Sequence, residues 1–122
     1  MAGKWARLQA DIDVNLRRGA WYRLLKVDGF DAVVDVNRRP VPIVKAFLQI
    51  STSPPRRWTV VPTPRTARAA RALPADMASH YAVCPSCRDR VALPGRPARM
   101  WCRRCRVEFA VAWDEQYLPP AL

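Results

Sequence analysis

With 122 residues, half of them apolar and a quarter charged, the chain has the composition of a folded protein rather than a disordered tail, and its length admits one compact domain or two very small ones. A net charge of +11, carried by 18 arginines and three lysines, points to a polyanionic partner, because guanidinium matches phosphate bidentately and stacks on bases. No stretch reaches the roughly 18 to 20 consecutive apolar residues of a membrane span, and residues 1–14 lack the apolar core of a signal peptide, so a cytoplasmic protein with no membrane partner is expected. Alanine and proline are abundant beside arginine. That trio is also what a GC-rich genome produces without selection for binding, so the charge has a purely compositional reading too.

From Ala10 to Pro62 apolar residues alternate with polar ones and turn signals interrupt them, the pattern of short half-buried strands. Ile12, Val14 and Leu16 alternate with Asp11, Asp13 and Asn15, and the turn "RRG" follows at 17–19. "AWYRLLKV" gives a second strand closed by Asp28-Gly29, a common hairpin pair. "DAVVDV" is the third, with Ala32, Val34 and Val36 on one face, and "NRRP" a loop. "VPIV" then runs into "KAFLQI", where Phe47, Leu48 and Ile50 form a tight apolar turn and a short strand, stopped by "SPP". "RWTVVP" is the fifth strand, ended by Pro62, which has no donor for a ladder. Short antiparallel strands of this kind cover their edges by curling into a small barrel.

The strand order over residues 9–62, with "AFLQI" before the last strand, resembles an SH3-like β-barrel; an oligonucleotide-binding-type barrel is the alternative. Residues 63–80, "TPRTARAARALPADMASH", change character and form an Arg/Ala-rich linker. Thr63 as N-cap and Pro64 at the first helical position predict a short helix ending before Pro74, with Arg65, Arg68 and Arg71 in one basic stripe.

All four cysteines fall between 84 and 105: Cys84 and Cys87 as one Cys-x-x-Cys pair, Cys102 and Cys105 as another, fourteen residues apart. Two such turns on adjacent hairpins supply four thiolates at tetrahedral angles, the donor set of a structural zinc ion. A single Zn²⁺ is expected, iron in a rubredoxin-like site being the chemical alternative. A tetrathiolate leaves no open coordination position, so the metal serves structure and not water activation. "RVAL", a turn at Pro94-Gly95, "ARMW" and "RVEFAVAW" read as the flanking strands. Val107, Phe109, Val111 and Trp113 share a face that packs on Trp101 or on the barrel.

"YAVCPSC" followed by "CRRCRVEFAV" resembles the small bacterial zinc-ribbon fingers, over about residues 81–113. The resemblance implies a three-stranded antiparallel sheet carrying two Cys-x-x-Cys knuckles, here within a module spanning 81–118. Glycine commonly follows the second cysteine of each knuckle, where the backbone tends toward positive φ; this chain has Arg88 and Arg106 instead.

The expected fold is therefore mainly β: a five-stranded SH3-like barrel (9–62), a short helical linker (63–80) and a zinc ribbon (81–118). Enzymatic chemistry is not expected, and neither is a small-molecule substrate. His80 is the lone histidine, no phosphate-binding glycine loop occurs, and the thiols are committed to metal. The expected partner is nucleic acid, RNA or DNA, or a nucleic-acid-bound complex such as RNA polymerase or the ribosome. Arg65, Arg68, Arg71, Arg88, Arg103, Arg104 and Arg106 would contact phosphate. Tyr22 would stack on a base if Trp21 faces inward, because strand neighbours face opposite ways. The alternatives are a protein-protein adaptor with a purely structural zinc site and, behind it, a thiol-based redox switch.

Overall fold

The computed structural model describes residues 3–12, 14–62, 73–77, 80–115 and 117–118. Among the described residues, ten strands form two five-stranded sheets. The first holds β1 (Trp5–Leu8), β2 (Tyr22–Asp28), β3 (Asp31–Val36), β4 (Arg39–Val44) and β5 (Leu48–Ser51), antiparallel in the order β4-β3-β2-β1-β5 and curled into a half-barrel. The second holds β6 (Arg57–Pro62), β7 (His80–Val83), β8 (Arg90–Ala92), β9 (Arg99–Cys102) and β10 (Val107–Val111) in the order β8-β7-β6-β10-β9. Among the described residues no helix is long and apolar enough to cross a membrane.

Local chemistry accounts for the hairpins of the first sheet. Gly29 takes φ 63 at the first turn position between β2 and β3, where a side chain would strain the backbone. Asn37 (φ 53) and Arg38 (φ 68) form the two-residue turn between β3 and β4, closed by the Val36–Arg39 pair. Both central residues have positive φ, as in the turn type whose twist suits a hairpin. The apolar turn expected at "KAFLQI" is present, with a single 3-10 turn at Lys45–Phe47 leading into β5.

Two strands differ from expectation. The described residues of the 11–16 stretch do not join a ladder, although Leu16 is buried and Ile12 and Val14 pack at the margin of the core. Asp11 pairs with Arg18, whose guanidinium also donates to the Ile12 carbonyl, and these bonds shape a bent loop. The place beside β2 and β5 belongs to β1, which pairs through Trp5 and Ala6 on one side and Trp5 to Leu8 on the other.

The strand Arg57–Pro62, expected to close the barrel, lies instead at the centre of the second sheet. It runs antiparallel to β7 and parallel to β10. Residues on both of its faces explain the choice. Thr59 and Val61 are buried on one side and Trp58 on the other, as suits a strand covered twice rather than one with a wet face. The second sheet is accordingly five-stranded and mixed, not three-stranded and antiparallel. The expected linker helix and its Arg65, Arg68 and Arg71 lie outside the described residues, which resume at Leu73, ahead of a 3-10 turn over Ala75–Met77.

The sheets share one core. Ala6, Leu8, Tyr22, Ala32, Val34, Ile43 and Leu48 of the half-barrel meet Val61, Tyr81, Val83 and Tyr117. Tyr117 fastens the seam: its hydroxyl donates to the Leu8 carbonyl at 2.6 Å and accepts from the Gly19 amide at 2.8 Å. Alternation along β7 then sends Tyr81 and Val83 to this core and Ala82 and Cys84 to a second one on the far face, with Trp58, Cys102 and Val111. That second core is the floor of the cysteine site.

Candidate metal centre

Each Cys-x-x-Cys pair occupies the tip of a hairpin, Cys84–Cys87 between β7 and β8 and Cys102–Cys105 between β9 and β10. The two tips are built alike. The Arg88 amide donates to the Cys84 carbonyl at 3.2 Å, and the Arg106 amide to the Cys102 carbonyl at 2.8 Å. The amides inside each turn point at sulfur: Ser86 and Cys87 at Cys84 Sγ (3.4 and 3.5 Å), Cys105 at Cys102 Sγ (3.4 Å). Arg88 (φ 65) and Arg106 (φ 56) adopt the left-handed conformation that the knuckle geometry demands and that glycine would take without strain.

The four sulfurs lie within 4.8 Å of one another. Cys84 Sγ stands 3.7 Å from Cys105 Sγ, and Cys87 Sγ 3.6 Å from Cys102 Sγ, so the close pairs run between knuckles. These separations exclude disulfides, whose S–S length is about 2.05 Å. They match the edge of a tetrahedron of thiolates around one ion, about 3.8 Å for metal–sulfur bonds near 2.3 Å. The donor set thus fits a single metal, with every vertex filled by sulfur.

Burial pushes the Cys84 thiol well above its ordinary range, against the lowering effect of the Cys87 and Ser86 amides, and it raises Cys87 as well. At Cys102 burial is outweighed by hydrogen bonds, those of the Cys105 and Arg104 amides among them, and the thiol is held below its usual value. Thiols that resist ionisation in such a pocket become thiolates when a divalent cation replaces their protons. Beneath them Trp58 is fully buried. Its indole donates to the Met100 carbonyl at 3.0 Å and meets Phe109 edge-on. His80 stands outside the sulfur cluster, its ring edge-on to Trp113.

The arginines divide into tied and untied. Arg88 reaches across to the first sheet, donating to the Trp21 carbonyl at 3.4 Å and lying 4.9 Å over the Tyr22 ring, while Arg17 donates to the Arg88 carbonyl at 2.7 Å. It therefore clasps the first knuckle to β2. Arg96 stacks on Trp113 and Arg99 pairs with Glu108. Arg103, Arg104 and Arg106 are exposed on the second knuckle and have no acidic partner among the described residues. Tyr22 is 4% exposed, its hydroxyl accepting from the Arg17 amide, and it faces the shared core instead of solvent. The half-exposed neighbour is Trp21, which lies against Arg7.

Sequence reasoning placed Trp101 among core candidates, but it is 57% exposed. A signal was available. Cys102 has to face the metal, and strand neighbours face opposite ways, so residue 101 must face out.

The strained knuckles allow a paired test. Arg106→Gly should stabilise the metal-loaded protein by about 1 kcal/mol, since it relieves a left-handed side-chain position and removes no described contact. Arg88→Gly should show no such gain, because it also removes the clasp to Trp21 and Tyr22. Thermal melts of the two variants side by side check this.

Comparison with known proteins finds no matching family model, no matching curated protein and no matching solved structure. The fold and the site define a mainly β protein carrying a four-cysteine cluster at metal-binding distance.

Proposed function

We propose that this is a non-enzymatic zinc protein, an SH3-like half-barrel joined to a zinc ribbon, that binds nucleic acid or docks on a transcription or translation complex through arginine–phosphate contacts. One Zn²⁺ held by Cys84, Cys87, Cys102 and Cys105 would fix the two hairpin tips, supplying cross-linking and no catalysis. The observation that carries the reading is the second knuckle. Arg103, Arg104 and Arg106 project from a turn braced by metal ligands, with no carboxylate among the described residues to consume their charge. Cations placed on a rigid support are well suited to a phosphate backbone, and nothing in the described residues reads as a base-recognition helix, so binding should be largely sequence-nonspecific.

The test is fluorescence anisotropy of the zinc-loaded protein against single-stranded RNA, single-stranded DNA and duplex DNA over a salt series. Affinity should fall steeply with salt, by a log-log slope of about 0.9 per phosphate contact on duplex DNA, and Arg103→Ala/Arg104→Ala should flatten that slope. No binding to any of the three near physiological salt would overturn the reading.

A second reading, a protein-protein adaptor, has one observation in its favour. At the β2–β3 hairpin Phe30 is 90% exposed, with Leu25 and Val27 also exposed on β2. An apolar docking surface would be far less sensitive to salt, so the same series separates the two.

A further inference from the structure

We infer that Trp101 is a stacking platform for an unpaired base, making single-stranded nucleic acid, and not duplex, the preferred ligand; this rests on the nucleic-acid reading above. Trp101 is the only exposed tryptophan among the described residues, at 57%, and it sits on β9, an edge strand of the second sheet with no neighbour beyond it among those residues. Its position is fixed from behind. Cys102 is buried in the clamp, Met100 packs on the same floor, and both face away from Trp101.

The charge around the platform is arranged for a polyanion. Arg99 shares the outward face of β9 with Trp101. Glu108, directly across from Trp101 on β10, is held by Arg99 Nε at 2.6 Å, so its charge is offset. Arg103 and Arg104 follow within three residues on the exposed knuckle. An aromatic ring beside cations is the arrangement by which proteins hold single strands, one base stacking while the backbone follows the charge. In a duplex both faces of each interior base are already stacked, so the ring has nothing to receive.

Aromatic stacking can also serve a protein partner, and the experiment separates the two. Zinc-loaded wild type, Trp101→Ala, Trp101→Phe and Arg103→Ala/Arg104→Ala are titrated into fluorescein-labelled RNA and DNA single strands of about ten nucleotides and into a labelled duplex. Trp101→Ala should weaken single-strand binding by roughly 5- to 100-fold with the salt slope unchanged, leave duplex binding within about twofold, and be largely rescued by Trp101→Phe. The double arginine variant should instead weaken all three ligands and flatten the slope. Absorbance of the cobalt-substituted protein verifies that Trp101→Ala keeps its clamp.

Wild-type single-strand affinity in Trp101→Ala, with the arginine variant impaired, would overturn the platform and leave the phosphate-binding reading standing. Equal loss on duplex and single strand would overturn it too. An absence of binding by the wild type would overturn both.

Discussion

Cys84→Ser or Cys102→Ser should unfold the second sheet and, through the shared core, loosen the first. Metal binding contributes on the order of 10 kcal/mol or more in zinc-finger peptides, whereas a whole domain of this size has a net stability of roughly 5 to 15 kcal/mol. One serine therefore removes an interaction comparable to everything the fold has in reserve. The effect should spread because Val61, Tyr81 and Val83, carried on strands whose other face lines the clamp, fill the core of the half-barrel. Chelation of the wild-type protein should reproduce it, and acid should as well, since protons compete with metal for the thiols. Wild-type melting and hydrogen exchange in either variant would refute a structural metal. A loss confined to residues 80–113, with the first sheet intact, would refute the coupling.

Arg7→Ala should cost about 3 kcal/mol, the low end of the range for breaking a buried ion pair, because the partner left behind, Glu115, is 29% exposed and regains part of its hydration. Arg7 is 2% exposed on a strand whose other face is also buried. Its guanidinium donates to Glu115 (2.7 and 3.3 Å), to Thr59 Oγ1 (3.0 Å) and to Gln49 (2.9 Å), and lies 4.4 Å from the Trp21 and Tyr117 rings. Truncation strands Glu115 and opens a gap between two rings. Removing the charge from both ends, as Arg7→Met with Glu115→Gln, should recover much of the loss, because the penalty lies in the orphaned carboxylate. Urea denaturation of the three proteins tests this. The Arg57–Asp114 pair is a built-in control: both side chains are largely exposed, and Asp114→Asn should leave the urea midpoint essentially unmoved.

Arg7 also shows why part of the fold was hidden in the sequence. The strand "WARL" precedes the alternation that begins at Ala10 and contains an arginine, a residue almost never fully buried unless paired. Its satisfaction comes from residues 42 to 108 positions away. Residues 11–16 have the better local pattern and lost to it. "RWTVVP" was legible as a strand but not as a member of the second sheet, since its parallel partner β10 begins at Val107 and nothing local encodes that pairing. The cysteine cluster was legible because metal chemistry restricts it: ligand type, spacing and the left-handed residue after each knuckle follow from a tetrahedral site. The positive φ of Arg88 and Arg106 was thus readable from sequence alone. The burial of Tyr22 was not, for the core it enters is completed by Tyr81, Val83 and Tyr117, and Arg88 comes from the first knuckle to lie over its ring.

The interposition of β6 between the two cysteine hairpins has a kinetic consequence. Each hairpin closes through contacts near in sequence and should form early, but the hairpins never pair with each other. They are brought into register by β6, whose Trp58 matches Val111 across more than fifty residues, the kind of distant closure that slows folding. A metal ion could meet two sulfurs on either hairpin at any time, and in the folded protein β6 is the strand that holds the two pairs of sulfurs side by side. The seating of one middle strand and the completion of a four-sulfur shell are thus expected to be coupled steps.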